Sequence, residues 1–377
     1  MDFTPVINYI EDYFRAEKGV PSFEIKIMQE HKTVFRYASG KSDYEGTREL
    51  DGNGIYYLYS CTKPITVTAA LQLVEKGLLA LDEPVSKYIP SFADAFLTVD
   101  GQRVRPKNVM TIRHLFTMSG GLDYNFKAEH IKGYTNANPD ATTREVVDTF
   151  VQAPLLFEPG ERFKYSLCHD VLAVVIEVIT GKSFGEYLKE NIFEPLGMKR
   201  IGFFVPEDEK ADLVAQYTNK EGWGIVPREN NCEFCLSNKY ESGGAGLYST
   251  LDDYSIFADA LANGGVGITG NRILKAETID MMREEQLKSF AVDFNFSCAA
   301  GRGYGYGLGV RTLIDKSEGQ RSALGEFGWD GAAGSYLLVD PASKLSITYA
   351  MHVRNWPKLI GDGHANLRDL CYDALGL

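Results

Sequence analysis

A serine and a lysine stand three residues apart at the start of an apolar run. In the segment YLYSCTKPIT they are Ser60 and Lys63. Residues at this spacing share one face of a helix, so the lysine amine can reach the serine hydroxyl. If burial and a neighbouring positive field lower the pKa of the amine towards 7, the lysine can accept the serine proton and create a nucleophile. The alternative is a serine that caps the helix and a lysine that is exposed to solvent.

Two later segments could take part in the same chemistry. Tyr165 in ERFKYSLCHDVLAVVIE precedes a long apolar helix. A tyrosine near a lysine can hold a lowered phenol pKa and act as a base, or it can act as the acid for a leaving group. The alternative is an aromatic residue that staples the start of the helix. The segment GEFGWDGAAGSYLLVDP carries small residues along a strand, which leaves room for a substrate and offers backbone N–H groups to an oxyanion.

The elements that must position these residues follow from the spacing of apolar residues. Helical spacing predicts helices in five regions: 1–18, Ser60 to Gly77, 111–198, from Ser249 or Thr250 onwards, and 366–375. Alternation predicts strands in the following regions: 23–29, 32–40, and three segments between Tyr304 and Val353. Strands at both ends with helices between them indicate one antiparallel sheet that is built from both termini and flanked by helices. The remainder forms an inserted, mostly helical lobe.

Composition limits the kind of partner. The 377 residues carry a net charge of -12, which disfavours nucleic acid and anionic membrane as partners. The N-terminus lacks the regions of a signal peptide and no run of 18 apolar residues exists, so the cytoplasm is the default expectation. Cys232 and Cys235 form a lone CxxC, which disfavours a zinc site, and free thiols fit a reducing compartment. No metal or cofactor is expected, and the oligomeric state stays open.

Seven ordered segments resemble the serine β-lactamase and penicillin-binding-protein superfamily, and most of all its β-lactamase-like family VIII carboxylesterases. The segments are YSCTKPIT, LDEPVSKYIPSF, TIRHLFTMSGGL, PGERFKYSLCHDVLAVVIE, EPLGM, SGGAGLYSTLDDYSIFA and GWDGAAGSYLLVDP. The resemblance implies an α/β (α+β) fold of β-lactamase/transpeptidase type in a single catalytic domain. Its α/β lobe would comprise about 1–90 and 240–377, its helical lobe about 91–239, and the active site would lie between them.

The resemblance also implies roles for individual residues. Ser60 looks like the acylated nucleophile, Lys63 like its partner, and Tyr165 matches the tyrosine of the family's Y-x-N segment. The oxyanion hole would consist of the N–H groups of Ser60 and Ala332. Whether Lys63 or Tyr165 takes the serine proton is left open at this point.

Two positions depart from the pattern that recognises penicillins. Leu167 stands where Y-x-N members have asparagine, and Trp329-Asp330-Gly331 stands where many members have K-T-G or H-x-G. Leu167 removes an amide that would bond an acylamino group, and Trp329 removes a cation that would pair with a carboxylate. Both changes favour an uncharged ester or an apolar acyl group, and the esterase branch has the same Y-S-L and W-x-G pairing.

Three further residues are candidates for substrate binding. His169 follows Tyr165 by four residues, which predicts that the two lie on the same helical face, so His169 could tune Tyr165 or line the pocket; the alternative is a satisfied core histidine. Arg354 follows the last predicted strand and could recognise a carboxylate, or it could form a surface salt bridge. Asp330 could face either the cleft or the solvent.

These features together predict a serine hydrolase that acts on a small-molecule ester or amide through an acyl-enzyme. The favoured activity is that of a carboxylesterase for small uncharged or apolar esters. One alternative is a D-amino-acid peptidase, carboxypeptidase or weak β-lactamase, which would need Arg354 or another cation in the cleft. The others are an acyltransferase and a non-catalytic binding protein of the same fold.

Overall fold

The computed structural model describes residues 1–287, 303–317, 319–358 and 362–377, so Cys298 lies outside the described residues. The strands are β1 (Ser22–Gln29), β2 (Lys32–Gly40), β3 (Ile55–Tyr57), β4 (Leu97–Val99), β5 (Gln102–Val104), β6 (Ile201–Gly202), β7 (Tyr217–Lys220), β8 (Gly224–Pro227), β9 (Tyr248–Thr250), β10 (Tyr304–Tyr306), β11 (Arg311–Leu313), β12 (Phe327–Asp330), β13 (Tyr336–Asp340), β14 (Leu345–Ala350) and β15 (Val353–Arg354). The α-helices are α1 (Thr4–Tyr9), α2 (Lys63–Glu75), α3 (Ile112–Phe116), α4 (Glu129–Ala137), α5 (Thr143–Asp148), α6 (Cys168–Thr180), α7 (Phe184–Leu188), α8 (Glu194–Leu196), α9 (Leu251–Ala262), α10 (Ala276–Arg283) and α11 (His364–Leu375).

The main sheet has seven antiparallel strands in the order β10-β11-β12-β13-β14-β1-β2. Strands from the two ends of the chain therefore pair with each other, at β14 and β1, and the predicted fold is confirmed. The β1–β2 hairpin turns at Glu30 and His31, whose φ angles are 49° and 65°. Positive φ at both central residues is the turn geometry that matches the twist of a hairpin.

Helices cover both faces of this sheet. Neighbouring residues of β13 point to opposite faces, since Leu338 belongs to one hydrophobic core and Leu337 to another. On the face of Leu338 lie α1 and α11, which pack against each other, while α9 packs against β1, β13 and β14 on the other face. The sheet is thus packed on both faces, and β12, one of its internal strands, leads into the turn before β13.

Helix α2 runs through the larger core and packs against α6. All of its residues from Lys63 to Leu73 are buried. A helix that is enclosed on all sides belongs to the interior of a protein, so its first residue is buried even though it is a lysine. The helix ends before Gly77, which has a φ of 67°, as predicted.

Two features of the fold differ from the sequence prediction. The first helix ends with a π-helical turn at Ile10–Phe14, so it stops short of Lys18. The small sheets β3-β9-β6 and β15-β7-β8 were not predicted, because their strands have only two to four residues and give no clear alternation. The lobe boundaries near residues 90 and 240 stay a prediction. None of the described helices has both the length and the apolar character needed to span a bilayer.

Candidate active site

Ser60 lies on a tight 3₁₀ turn between β3 and α2. The turn spans Tyr59–Thr62, and Ser60 is buried in it. Tyr59 has a φ of 50°, a left-handed conformation that is strained for an aromatic residue. Its hydroxyl donates to Oε1 of Gln216 at 2.6 Å, which anchors the strained residue. Such strain persists only where surrounding contacts enforce it, and it is concentrated at functional positions.

A buried histidine holds the strand that leads into this turn. Nε2 of His352 accepts a hydrogen bond from the N–H of Tyr57 at 3.2 Å. Nδ1 of His352 donates to the carbonyl oxygen of Val214 at 2.7 Å. Burial lowers the pKa of His352 to about 3, so the ring is neutral and carries one donor and one acceptor. His352 therefore supports the position of β3 and of the serine that follows it.

Lys63 is wholly buried beside the serine. Its Nζ lies 3.3 Å from Oγ of Ser60 and donates to the carbonyl oxygen of Gly244 at 2.7 Å. Burial lowers the pKa of Lys63 to about 7, although the carboxylate of Asp170 acts in the opposite direction. The expected pKa is thus confirmed but its expected cause is only half right, because burial supplies the shift and the strongest charges nearby are negative. Near neutral pH the amine can lose its proton.

Tyr165 approaches the same serine from the other side. Its hydroxyl donates to Oγ of Ser60 at 2.6 Å. The indole N–H of Trp329 donates to the Tyr165 oxygen at 3.3 Å, and the two rings stack with their centroids 5.7 Å apart. Burial raises the pKa of Tyr165 well above its usual value. The lowered phenol pKa suggested by the sequence is therefore wrong, and Tyr165 is a neutral phenol that offers a proton to Ser60.

The turn between β12 and β13 lies against the serine turn. Oγ of Ser335 donates to the carbonyl oxygen of Leu58 at 2.7 Å. A Cβ on Gly331 would lie 2.3 Å from the same oxygen, so only glycine permits this approach. Ala332, the next residue, is exposed. Within the described residues, neither the N–H of Ala332 nor that of Ser60 donates to another protein group, so both are free to meet a substrate oxygen.

Three of the remaining predicted residues have clear environments. Asp330 is half-buried and close enough to Lys63 to favour the charged form of the lysine. Leu167 is buried at the start of α6 and lines a cavity of about 140 Å³ together with Leu122, Asp123 and Ile131. His169 is fully buried, with Nε2 3.4 Å from the carbonyl oxygen of Phe116. Its predicted place on one helical face with Tyr165 is wrong, because Tyr165 precedes the first residue of α6.

Arg354 forms an ion pair rather than standing as an isolated cation. Its guanidinium group pairs with Glu233, whose other carboxylate oxygen lies 3.6 Å from Nζ of Lys127. The guanidinium carbon lies 5.3 Å from the ring centroid of Tyr59, the residue before the nucleophile. Arg354 is therefore half-buried next to Tyr59 at the edge of the active site. A role for Arg354 in carboxylate recognition stays a prediction.

Sequence reasoning missed a buried polar cluster behind Lys63. The carboxylate of Asp170 accepts hydrogen bonds from Tyr240 at 2.8 Å and from Ser242 at 2.6 Å. A Cβ on Gly244 would lie 2.6 Å from that carboxylate, so the glycine-rich turn can approach Asp170 closely. The carbonyl oxygen of Gly244 then faces Lys63. The glycines of SGGAG were the available signal, but their partner Asp170 is distant in sequence.

An aromatic wall beside the serine was also missed. The Tyr124 ring centroid lies 5.0 Å from that of Tyr165 and 5.5 Å from Nζ of Lys63. Phe234 packs between Tyr124, Phe126 and Tyr59, with centroid distances of 6.0, 4.5 and 5.9 Å. These residues come from two loops whose sequences give no periodic pattern. Among the described residues, no cluster of three or more histidine, cysteine or acidic side chains is arranged to hold a metal ion.

Comparison with known proteins places this chain in a family. The family model described as Beta-lactamase matches residues 7–370. The chain belongs to the beta-lactamase family. Its resemblance to the serine β-lactamase and penicillin-binding-protein superfamily is thereby confirmed.

Named members of the superfamily are similar to this chain over much of its length. Esterase EstB of Burkholderia gladioli is 31% identical, over 61% of this chain and 62% of EstB. A putative D-alanyl-D-alanine carboxypeptidase of Escherichia coli (strain K12) is 26% identical, over 88% of this chain and 78% of that protein. The solved structure of EstCE1, a hydrolase with promiscuous acyltransferase activity, has a TM-score of 0.77 and 25% identity and covers 98% of this chain and 97% of its own. This beta-lactamase family member thus has hydrolases as its relatives.

Proposed function

We propose that this beta-lactamase family protein is a serine carboxylesterase that acts on small uncharged or apolar esters through an acyl-enzyme at Ser60. The observation that carries the proposal is the position of Ser60 Oγ, 3.3 Å from Nζ of Lys63 and 2.6 Å from the hydroxyl of Tyr165. The pKa values of the two neighbours lie far apart, with Lys63 at about 7 and Tyr165 raised well above 10. Paired groups whose environments separate their pKa values in this way divide into a base and an acid.

In the acylation step, the neutral amine of Lys63 takes the Ser60 proton as Oγ attacks the ester carbonyl carbon. The N–H groups of Ser60 and Ala332 donate to the oxygen that becomes negative in the tetrahedral intermediate. When the C–O bond to the alcohol breaks, Tyr165 gives its proton to the departing oxygen and regains one from the ammonium group of Lys63. The products of this step are the free alcohol and an acyl group on Ser60.

In the deacylation step, water attacks the acyl carbonyl carbon, and Lys63 again takes the proton. The intermediate then breaks at the bond to Ser60, whose oxygen is protonated from Tyr165, and Tyr165 regains a proton from the ammonium group of Lys63. The carboxylic acid leaves and the starting protonation states return. Trp329 supports both steps as a positioning residue, because its indole N–H occupies one lone pair of the Tyr165 oxygen and its ring holds the phenol in place.

The choice of an ester substrate rests on the groups around Ser60. Leu167 and Trp329 are buried and apolar where other members carry an amide and a cation. The guanidinium group of Arg354 is already paired with Glu233, which weakens its attraction for a substrate carboxylate. Similarity to proteins named as an esterase and a hydrolase supports the same choice. The promiscuous acyltransferase activity of EstCE1 makes acyl transfer to an alcohol the second candidate.

A comparison of two chromogenic substrates tests this proposal. The wild type and Ser60→Ala would be assayed with a short-chain p-nitrophenyl ester and with a chromogenic cephalosporin. We expect ester turnover by the wild type, little cephalosporin turnover, and loss of ester turnover in the variant. Addition of a primary alcohol would separate the second candidate, since an acyltransferase should form the new ester in preference to the acid.

Two results would contradict the proposed function. Strong cephalosporin turnover would contradict the roles given to Leu167 and Trp329, because a carboxylate-bearing amide would then be the better substrate. Ester turnover that survives in Ser60→Ala would place the chemistry elsewhere in the chain. A matched control is Ser91→Ala, because Ser91 bonds Asp148 and has no contact with the proposed catalytic residues. Its ester turnover should equal that of the wild type.

A further inference from the structure

The CxxC segment left unassigned by the proposed mechanism lies beside the active site. Cys232 and Cys235 are the first and last residues of a β-turn, in which the N–H of Cys235 donates to the carbonyl oxygen of Cys232 at 3.1 Å. Cys232 is buried and Cys235 is half-buried, and both are free thiols. The ends of a β-turn have Cα atoms less than ~7 Å apart, which falls within the range that a disulfide bridges.

The two residues between the cysteines both reach the wall of the site. Phe234 packs edge-on against Tyr59, with ring centroids 5.9 Å apart, and lies 6.0 Å from Tyr124. Glu233 pairs with Arg354, whose guanidinium carbon lies 5.3 Å from the Tyr59 ring centroid. The turn therefore contacts the strained residue that precedes Ser60 directly through Phe234, and Glu233 reaches it by way of Arg354.

The first cysteine is also linked to the lysine side of the site. Sγ of Cys232 lies 3.8 Å from the carbonyl oxygen of Ala245. Ala245 follows Gly244, whose carbonyl oxygen accepts the hydrogen bond from Lys63 at 2.7 Å. A change in the position of Cys232 thus acts on the backbone segment that holds the amine.

We infer that Cys232 and Cys235 form a reversible disulfide in response to disulfides of small thiols, and that this bond lowers the rate of acylation at Ser60. In the bond-forming reaction, the Cys235 thiolate attacks one sulfur of the small disulfide and releases one thiolate. The Cys232 sulfur, as thiolate, then attacks the Cys235 sulfur of the mixed disulfide and releases the second. The net reaction converts two protein thiols and one small disulfide into one protein disulfide and two small thiols.

Two properties favour Cys235 as the attacking residue. It is the more accessible of the pair, and the Cys232 thiol lowers the pKa of Cys235 by hydrogen bonding to it. The disulfide requires the two sulfur atoms to approach to about 2.05 Å, which resets the side-chain torsions of both cysteines. Cys232 then has no S–H, so its hydrogen bond to the carbonyl oxygen of Ala245 is lost, beside the Gly244 carbonyl that holds Lys63.

The test combines intact-protein mass with activity. The reduced wild type would be incubated with oxidised glutathione, and the p-nitrophenyl ester rate and the mass would be measured before and after addition of dithiothreitol. We expect a mass loss of about 2 Da mapped to the 232–235 peptide and a fall in kcat/KM of about 10-fold, since a displacement of ~1 Å at a site can cost up to ~100-fold. Dithiothreitol should reverse both changes.

Cys235→Ser is the matched control, because it keeps the size and polarity of the side chain but cannot close the bond. Its ester rate should match that of the reduced wild type and should not respond to oxidised glutathione beyond any response of Cys298. Failure of the wild type to form the 232–235 disulfide would overturn the inference, and so would a disulfide that leaves kcat/KM unchanged. The mass measurement does not depend on the proposed esterase function. A reduced protein without ester activity would therefore count against that function, while the mass would still decide whether the bond forms.

Discussion

Replacement of Lys63 by methionine is expected to lower kcat/KM for ester hydrolysis by about 10²- to 10⁴-fold, the usual contribution of a general base. Methionine has a similar length and an apolar side chain, so it suits the buried position of Lys63. The thermal stability of the variant should be close to that of the wild type, because removal of a costly buried amine offsets the loss of the donor to the Gly244 carbonyl oxygen. Steady-state kinetics together with thermal unfolding would separate loss of the base from loss of the fold.

The kcat/KM of the wild type should depend on pH through the titration of Lys63. Burial holds the pKa of Lys63 at about 7, and only the neutral amine can accept the Ser60 proton. The value of kcat/KM should therefore rise as the pH increases through about 7 and level off above it. The Lys76→Met variant, changed at an exposed lysine just after the end of the same helix, should retain both the rate and the profile. A profile without an inflection near 7 would contradict the role of Lys63 as base.

Replacement of Tyr165 by phenylalanine is expected to lower kcat by about 10²- to 10⁴-fold, because the leaving alcohol would lose its proton donor. The phenyl ring can still stack on Trp329, so the pocket should keep its shape. Unfolding should be somewhat easier, since the buried indole N–H of Trp329 would lose its acceptor, at a cost of about 1–3 kcal/mol. Kinetic measurements with esters of different leaving groups would check the assignment.

An activated leaving group provides the internal control for Tyr165. An ester of p-nitrophenol needs little protonation of the departing oxygen, whereas an ester of an aliphatic alcohol needs much more. The variant should therefore lose more of its kcat/KM, which reports acylation and not the shared deacylation step, on the alkyl ester than on the p-nitrophenyl ester. Equal losses of kcat/KM on both esters would contradict the role of Tyr165 as the acid for the departing alcohol. Tyr37→Phe, which removes a hydroxyl that bonds Glu11 on the far side of the sheet, should change neither rate.

The sequence predicted those parts of the fold and the site that depend on local spacing. The apolar run after Ser60 predicted a buried helix, and Lys63 is buried because that helix is enclosed by other elements. The alternating segments at both ends of the chain predicted the central antiparallel sheet. The ordered motifs placed Ser60, Lys63 and Tyr165 in one site, where their side chains are within 3.3 Å of the serine oxygen.

The parts that could not be predicted depend on contacts between distant segments. The pKa of Tyr165 is raised because the ring is buried against Trp329 and Tyr124, and burial of this kind has no local signature. His169 was misplaced because the helix begins three residues after Tyr165, a boundary that periodicity alone does not define. The pairing of Arg354 with Glu233 joins the last short strand to a loop more than a hundred residues earlier.

Covalent labelling tests the central claim most directly. The wild type and Ser60→Ala would be treated with an uncharged alkyl phosphonate ester of p-nitrophenol, and the modified peptide would be identified by mass spectrometry. The account predicts one phosphonyl group per chain, attached to Ser60, with concurrent loss of ester hydrolysis, and no labelling of the variant. A wild type that hydrolyses esters but carries the label on another residue, or a Ser60→Ala variant that is labelled as fast as the wild type, would contradict it.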